Sequence, residues 1–267
     1  MNVSPSASWS SGDSYEPYVG RWSRLVAREF VTWLDAPPNG RWLDVGCGTG
    51  ALTEAVFSGA QPFGVHGIDP STGFLETARQ RLAGTTATFA VGDAMAIDSP
   101  DGEFDVAASA LVLNFVPDPA VALAEMTRVV RPGGIVGFYV WDYVSGMEFM
   151  KYFWEAAVDV DPTAALVAES ARFEAWTPEY IGALLADAGL ERVTTDAVVV
   201  PTHFVDFDDF WTPFLGGQGP APTYLLSLEP SAREEIRTLL LTRLPLALDG
   251  SIPLTARAWT GRGIRPE

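Results

Sequence analysis

The chain has 267 residues and carries 34 acidic against 17 basic side chains, which gives a formal net charge of −17 at pH 7. Electrostatic binding to nucleic-acid phosphates needs clustered cationic side chains, but here Lys151 is the single lysine and the arginines are scattered between acidic residues. We therefore expect no nucleic-acid partner. A hydrophobic content of 48% suits one large α/β domain with a substantial core.

Cysteine usage and the apolar runs set further limits. Cys47 is the only cysteine, so an intramolecular disulfide and a cysteine-rich zinc site are excluded, and we expect no metal. No apolar run reaches the length of a membrane span, and residues 1–12 are polar and serine-rich without the features of a secretory signal. We expect a cytoplasmic protein with a loose N-terminal tip and no membrane contact. The sequence leaves the oligomeric state open.

The first predicted element is an amphipathic helix after residues 15–24. Leu25, Val26, Phe30 and Leu34 recur at helical spacing and predict one buried face. The aromatic residues ahead of this helix either pack it against the edge of a sheet or cover a ligand. The residues alone leave both readings open.

Residues 42–50, Trp-Leu-Asp-Val-Gly-Cys-Gly-Thr-Gly, form an apolar strand that runs into three glycines at every second position. Glycines at Gly46, Gly48 and Gly50 allow the backbone to approach a ligand that a Cβ atom would push away. A dinucleotide site needs the spacing G-x-G-x-x-G, whereas this loop has G-x-G-x-G. The segment predicts a nucleotide pocket that is not built for NAD.

Alternating strands and helices follow the loop. A second strand, 63–68, ends at Asp69, about twenty residues beyond the glycines, where an acidic side chain is placed to accept both ribose hydroxyls. Ser71 caps a helix over 73–82. A third strand, 86–90, is followed by Asp93. A fourth strand over 104–110, a helix over 117–130, a turn at 131–134 and a fifth strand that ends at Trp141 complete this part.

In this order, across residues 40–142, Asp44 with the glycine loop, Asp69, Asp93 and the later strands resemble the class I S-adenosylmethionine-dependent methyltransferases of the small-molecule type. The resemblance implies S-adenosyl-L-methionine as cofactor, with Asp93 facing its adenine amino group. It also implies an N-terminal flap over residues 1–34, in which Tyr18 shields the methionine end and Arg21 or Arg24 pairs with the carboxylate. The implied cofactor-binding residues are Tyr18, Arg21, Trp22, Asp44, Gly46, Cys47, Gly48, Thr49, Gly50, Asp69, Pro70, Ser71, Gly92, Asp93, Ala94, Met95, Ser109, Ala110 and Asn114.

The predicted fold is an α/β doubly wound sheet of seven mostly parallel strands. Thr177 and Pro178 start a helix that ends at Asp187, and residues 191–201 and 252–261 supply the sixth and seventh strands. The resembled fold has an antiparallel seventh strand between the fifth and sixth. The helical insertions 142–176 and 202–250 then leave from the carboxyl ends of strands, the edge at which such sheets bind ligands, and are expected to cap the active site of a single methyltransferase domain.

Both insertions are rich in aromatic residues, about two thirds of which we expect to be structural. The remainder would line an enclosed pocket for the acceptor. The predicted substrate-binding residues are Asn114, Trp141, Tyr143, His203 and Trp211. His203 is the candidate catalytic base because it follows the sixth strand, whereas His66 precedes the second strand and is expected to be structural.

The predicted function is S-adenosylmethionine-dependent methyl transfer to a small organic metabolite by in-line displacement. Collinear positioning can supply much of the rate without a catalytic side chain, so the need for a base stays open, as does O-, N- or C-methylation. One alternative is a protein that binds the cofactor without transfer, because fold does not fix function. A less favoured alternative is a nucleotide-dependent oxidoreductase.

Overall fold

The computed structural model describes residues 21–216 and 219–267. Within them seven strands form one sheet. The strands are β1 Arg41–Val45, β2 Gly64–Asp69, β3 Ala87–Val91, β4 Phe104–Ala110, β5 Val130–Trp141, β6 Glu191–Phe204 and β7 Ile252–Ile264. Their order across the sheet is β3-β2-β1-β4-β5-β7-β6.

The pairing confirms the predicted doubly wound sheet. β1 is parallel to β2 and β4, and β4 is parallel to β5. β7 runs antiparallel to β5 and lies between β5 and β6, as expected. The carboxyl ends of β1, β2, β4 and β5 therefore meet at one edge, and the glycine loop leaves from that edge.

The helices of the described residues are α1 Arg21–Leu34, α2 Ala51–Gly59, α3 Thr72–Arg81, α4 Pro119–Val129, α5 Glu148–Val160, α6 Glu169–Arg172, α7 Pro178–Asp187, α8 Phe207–Trp211, α9 Pro220–Ser227 and α10 Pro230–Arg243. Both predicted caps are confirmed: the Ser71 hydroxyl accepts from the Phe74 N–H and the Thr177 hydroxyl from the Tyr180 N–H. None of the helices in this part of the chain combines the length and apolar character needed to cross a bilayer.

Successive residues of β5 face opposite layers of helices. A Cβ atom added at Gly137 would lie 2.6 Å from Leu34 Cδ1, and the Tyr139 ring packs 4.8 Å from Phe30, so this face carries α1. Phe138 points the other way, into a buried cluster with residues of α4 and α7. The assignment of Leu25 to the buried face of α1 was wrong, because its side chain is 37% exposed and lies beside the buried stripe.

β6 continues three residues beyond its predicted end at Pro201. A proline has no N–H to donate, but β6 is the edge strand of the sheet, where this is tolerated. His203 consequently lies inside β6, not in the insertion that follows it.

The chain divides into two compact units. The larger comprises residues 23–141, 175–198 and 258–267, and thus holds the glycine loop and the strand ends around it. Of the described residues, the second unit comprises residues 21–22, 142–174, 199–216 and 219–257. Most of both predicted insertions falls in the second unit. Their role as caps over an active site stays a prediction.

Most of the aromatic residues of the insertions form the core of the second unit. Phe149 is 1% exposed, and Phe153, Phe204, Phe210 and Phe214 are fully buried. The rings of Phe153 and Phe214 stack with their centroids 4.4 Å apart. These side chains are structural, in line with the expected majority.

Glu169 is a buried acid in the second unit. It is 3% exposed, and burial raises its pKa to about 7, although hydrogen bonds from its own N–H, from the Trp154 indole N–H and from the Ala221 N–H oppose the shift. The ordinary value is 4.5. Because the folded protein then holds a proton that the unfolded chain has already lost, the free energy of unfolding should fall as pH rises through 7.

We expect Glu169→Gln to remove this pH dependence. The wild-type unfolding free energy, minus that of the variant, should fall by about 1.4 kcal/mol between pH 6 and pH 8 for a group that titrates near 7. Urea unfolding at the two pH values measures the difference. A difference that stays constant or grows over this range would contradict the raised pKa.

Candidate active site

The glycine loop joins β1 to α2 and is fixed to the end of β2. The N–H groups of Gly46 and Cys47 both donate to the Ile68 carbonyl oxygen, at 2.8 and 3.0 Å. Gly46, Gly48 and Gly50 have φ angles of +72°, +51° and +87°, a region that favours glycine. The loop is therefore held in a conformation that other residues would adopt only with strain.

The three glycines serve different purposes. A Cβ atom at Gly46 would lie 2.6 Å from Val112 Cγ2, and one at Gly50 would lie 2.8 Å from Leu82 Cδ1. At Gly48 a Cβ atom would meet no heavy atom within 4 Å. An added Cβ atom would thus clash with protein at Gly46 and Gly50, whereas Gly48 borders open space among the described residues. That all three glycines lie against a ligand stays a prediction.

Asp69 lies at the carboxyl end of β2 and locks the loop. Its Oδ2 accepts from the Gly48 N–H at 2.9 Å, and its Oδ1 accepts from the Ser71 N–H at 2.8 Å. Burial raises the pKa of this carboxyl, while the two N–H groups oppose the shift. A carboxylate has about four acceptor positions, so Asp69 retains capacity for two further donors.

Asp44 is almost fully buried behind the loop. Thr53 Oγ1 on α2 donates to its Oδ2 at 2.6 Å, whereas its Oδ1 is buried with no hydrogen-bond partner among the described residues. Burial raises the pKa of Asp44 to about 7, against the hydrogen bond from Thr53, and the charge of Asp69 adds to the rise. A buried acceptor without a donor is costly, so this oxygen fits a cationic or hydrogen-bonding group of a ligand.

The segment after β3 forms a turn beside Asp69. The Gly92 N–H donates to the Asp69 carbonyl oxygen at 3.3 Å, and Asp93 Oδ1 accepts from the Met95 N–H at 2.9 Å. The Asp93 side chain is exposed, and Ala94 and Met95 pack on the core. This arrangement leaves Asp93 accessible at the ligand edge.

Several predicted cofactor residues use their side chains within the protein. Ser109 is fully buried and its hydroxyl donates to the Val45 carbonyl oxygen at 2.8 Å. A Cβ atom at Gly67 would lie 2.9 Å from Cys47 Sγ, so the thiol packs against β2, where burial raises its pKa. Pro70 is exposed and Ala110, the last residue of β4, is half-buried.

Sequence reasoning missed side chains that hold the loop from elements far away in the chain. Arg81, at the end of α3, donates from Nη1 to the Thr49 carbonyl oxygen at 3.1 Å and to its hydroxyl at 3.2 Å. Val112, after β4, also lies against the loop, since a Cβ atom at Gly46 would be 2.6 Å from its Cγ2. Thr53 on α2, which hydrogen-bonds Asp44, was also missed, although it lies only three residues after the glycine loop.

Two predicted substrate residues carry unsatisfied polar atoms near the ends of neighbouring strands. Asn114 lies in a short 3-10 helix after β4, and Trp141 is the last residue of β5. Asn114 Oδ1 and Trp141 Nε1 are buried and have no hydrogen-bond partner among the described residues. One is an acceptor and the other a donor.

His203 and Trp211 are two further residues that were predicted to bind the substrate. His203 is on the exposed face of β6. Trp211 is 8% exposed and stacks on Phe207. Trp22, which the resemblance places in the cofactor site, is 3% exposed and packs edge-on against Phe149 with the ring centroids 5.5 Å apart.

Of the remaining predictions, Tyr18 and the side chain of Arg21 lie outside the described residues. Arg24 pairs with Glu54 at 3.9 Å. His66, predicted to be structural, hydrogen-bonds Thr88 Oγ1 at 2.8 Å. Within residues 21–216 and 219–267, no cluster of His, Cys, Asp or Glu is suited to hold a metal ion.

The open space at Gly48 gives a test with a matched control. Gly84 also has a positive φ, +88°, and open space around its Cβ position, but it lies outside the site. Alanine at either position should cost about 1 to 2 kcal/mol of stability through left-handed strain. Only Gly48→Ala should weaken ligand binding, by at least about tenfold, as measured by calorimetry with S-adenosylhomocysteine. Equal affinities in the two variants would remove Gly48 from the site.

Residues 43–138 match a family described as a methyltransferase domain. Over 211 residues the chain is 34% identical to the 2-methyl-6-phytyl-1,4-hydroquinone methyltransferase of Synechocystis sp., a match that covers 78% of this chain and 64% of that protein. The chain spans less than two thirds of the length of the curated relatives that it matches.

The structure is similar to that of a proposed methyltransferase from Bacillus halodurans, with a TM-score of 0.59, 15% identity, and coverage of 90% of this chain and 99% of that chain. It is also similar to phosphoethanolamine N-methyltransferase 2 of Haemonchus contortus in complex with S-adenosyl-L-methionine, with a TM-score of 0.58 and 16% identity over 95% of this chain and 57% of that chain. At these identities the likeness establishes the fold.

Proposed function

We propose that this chain is a class I S-adenosylmethionine-dependent methyltransferase that transfers a methyl group to a small organic molecule. The match of residues 43–138 to a methyltransferase domain and the likeness of the fold support this. The oxidoreductase alternative loses its support, because the glycine spacing and the fold both favour the methyltransferase family. The 2-methyl-6-phytyl-1,4-hydroquinone methyltransferase of Synechocystis sp., similar over most of this chain, supports a small-molecule acceptor.

The observation that carries the proposal is the set of unfilled positions around the glycine loop. Among residues 21–216 and 219–267, open space borders Gly48, Asp44 Oδ1 has no donor, and the Asp69 carboxylate keeps acceptor capacity. These features fit S-adenosylmethionine, which has an amino group for Asp44 and ribose hydroxyls for Asp69. When bound, this cofactor supplies an electrophilic methyl carbon on a sulfonium.

A small acceptor also agrees with the charge of the chain and with the polar atoms near the ends of β4 and β5. The net charge of −17 does not suit a polyanionic substrate. Asn114 Oδ1 can accept a hydrogen bond from an acceptor hydroxyl or amine, and Trp141 Nε1 can donate one to an oxygen. Together these two groups would orient the nucleophile.

Positioning is the main contribution that we assign to the protein. An amide oxygen such as that of Asn114 orients an acceptor but does not take its proton, and in-line displacement gains much of its acceleration from alignment alone. His203 stays a prediction as base, although its exposed position on β6 does not favour it. The choice between O-, N- and C-methylation also belongs to this proposal and is left to experiment.

The test uses S-adenosylmethionine with an isotopically labelled methyl group. The protein is incubated with a bacterial extract that has been separated into small-molecule, protein and nucleic-acid fractions, and the label is then located. The proposal expects label in the small-molecule fraction alone. Label confined to protein or nucleic acid would overturn the small-molecule assignment, and S-adenosylmethionine binding without any transfer would favour the binding-protein alternative.

A further inference from the structure

Thr53 on α2 carries a fully buried hydroxyl group that is directed at Asp44. Its side chain has no exposed surface, and Asp44 is 1% exposed. The Thr53 Oγ1 atom donates to Asp44 Oδ2 at 2.6 Å, a distance typical of a hydroxyl that donates to a carboxylate. A hydroxyl group has one proton, so this bond uses the whole donor capacity of the Thr53 side chain.

This hydrogen bond distinguishes the two oxygens of the Asp44 carboxyl group. Oδ2 is held by Thr53, whereas Oδ1 is buried and has no hydrogen-bond partner in residues 21–216 and 219–267. The torsion angle that turns the carboxyl group of an aspartate has only a weak preference of its own, so a fixed donor decides its orientation. Thr53 therefore determines which oxygen is left for a ligand.

The same contact determines where a proton on Asp44 lies. Because Oδ2 accepts from Thr53, the proton of the neutral carboxyl group belongs on Oδ1. A cationic group that donates to Oδ1 must take the place of this proton. Burial raises the pKa of Asp44 to about 7, while the hydroxyl and the N–H of Thr53 both oppose the rise.

The charged and titratable groups near Asp44 do not replace this donor. On β2, the charge of Asp69 adds to the rise in the pKa of Asp44. In the glycine loop, burial raises the pKa of the Cys47 thiol, which is therefore neutral near pH 7. Glu54, the next residue of α2, lies 3.9 Å from Arg24 of α1. Of the described groups that interact with Asp44, Thr53 is the one that favours its ionised form.

We propose that Thr53 is a positioning residue for the cofactor: its hydroxyl group holds Asp44 Oδ2, so that Oδ1 accepts the amino group of S-adenosylmethionine. The inference rests on the proposed function and adds to it a residue that acts through Asp44. On binding below pH 7, the Oδ1–H bond of the neutral carboxyl group breaks, the proton passes to solvent, and Oδ1 accepts from the ammonium group. Thr53 stabilises the carboxylate that is left.

Two variants separate the hydroxyl group of Thr53 from its shape. Thr53→Val removes the hydroxyl and keeps the branched side chain, whereas Thr53→Ser keeps the hydroxyl. Thr260 provides a matched control on β7, because it is also fully buried and its Oγ1 has no hydrogen-bond partner among the described residues. Calorimetry measures the affinity of each protein for S-adenosylhomocysteine and for its deamino analogue, which has hydrogen in place of the amino group.

We expect Thr53→Val to weaken S-adenosylhomocysteine binding at pH 7 by about tenfold or more, because a hydrogen bond to a charged group is lost. Its affinity for the deamino analogue should change by less than about threefold, since that ligand brings no ammonium group to Oδ1. Thr53→Ser should stay within about threefold of the wild type for both ligands, and Thr260→Val should change neither affinity.

The pH dependence is a readout that a loss of packing alone does not move. The wild-type affinity for S-adenosylhomocysteine should level off near pH 7. In Thr53→Val it should keep rising for about one further pH unit, because the free carboxyl group has lost a donor that favours ionisation. Calorimetry in two buffers of different ionisation enthalpy should therefore count more released protons for Thr53→Val than for wild type at about pH 7.5. Thr53→Ser should restore the wild-type curve.

Equal weakening of both ligands by Thr53→Val, with an unmoved pH dependence, would show a structural role and overturn the inference, as would unchanged affinities. Thr53→Ala removes the same hydroxyl without adding a methyl group and is measured in parallel, so the test does not depend on the folding of one variant. Wild-type protein that binds S-adenosylhomocysteine as described but transfers no methyl group contradicts the proposed function and supports this inference. Wild-type protein that does not bind S-adenosylhomocysteine overturns both.

Discussion

Replacement of Asp69 by alanine should weaken S-adenosylmethionine binding by about 1.5 to 3 kcal/mol, the usual scale for hydrogen bonds to a charged group. The variant loses the acceptor that we propose for the ribose hydroxyls, and also the two contacts that hold Gly48 and Ser71. Isothermal calorimetry measures the affinity. Because two backbone N–H groups lose their partner, the free energy of unfolding should fall as well.

A second aspartate separates binding from stability. Asp118 also accepts from two backbone N–H groups, those of Ala120 and Val121, and caps α4, but it is not among the residues predicted to bind the cofactor. Asp118→Ala should cost about 1 kcal/mol of stability and leave the cofactor affinity unchanged.

Asp93→Asn should weaken binding less than Asp69→Ala, because an amide oxygen can still accept from the adenine amino group. Unchanged affinity in Asp69→Ala would remove Asp69 from the site.

Binding of S-adenosylhomocysteine should become stronger as pH rises towards 7, because of Asp44. Burial raises the pKa of the free carboxyl to about 7. A cationic amino group at Oδ1 favours the ionised form, so the pKa falls on binding and a proton is released below pH 7. The affinity should rise by up to about tenfold per pH unit between pH 5 and 7 and level off above it.

Asp44→Asn provides the control for this pH dependence. The amide cannot ionise, so its affinity for S-adenosylhomocysteine should be weaker than that of the wild type at pH 8 and nearly constant from pH 5 to 8. Calorimetry in two buffers of different ionisation enthalpy counts the protons released. A wild-type affinity that is flat over this range, or that falls as pH rises, would contradict the role of Asp44.

The strands and helices along the chain were predictable from sequence because their signals are local. The apolar run before Gly46, the strand that ends at Asp69 and the caps at Ser71 and Thr177 each depend on a few adjacent residues. The antiparallel seventh strand is different. It followed from the family resemblance, and the pairing of β5 with β7 confirms it.

The different surroundings of Gly46, Gly48 and Gly50 could not be predicted from their spacing. It depends on Val112 and Leu82, which reach the loop from distant parts of the chain. The same holds for Arg81, which holds Thr49. Contacts between residues thirty or more positions apart leave no periodic signal in a single sequence.

Burial explains the remaining differences. The aromatic stripes of the insertions predicted a role for rings but not which rings would form the core, and Phe149 and Phe214 lie in the interior of the second unit. Glu169 stands in a short polar segment that resembles an exposed turn, yet it is buried against Trp154. Because β6 is the edge strand, it tolerates Pro201 and continues to Phe204, so His203 lies inside the strand.

Formation of S-adenosylhomocysteine during turnover tests the central claim most directly. The product is quantified by mass spectrometry with wild type, Gly48→Ala and Gly84→Ala. Each reaction contains the small-molecule fraction of the bacterial extract as the source of the acceptor. We predict one S-adenosylhomocysteine for each acceptor molecule methylated by wild type and Gly84→Ala, and a loss of at least about tenfold in Gly48→Ala at limiting cofactor. No S-adenosylhomocysteine above the protein-free rate, or equal formation by Gly48→Ala and Gly84→Ala, would contradict methyl transfer at this site.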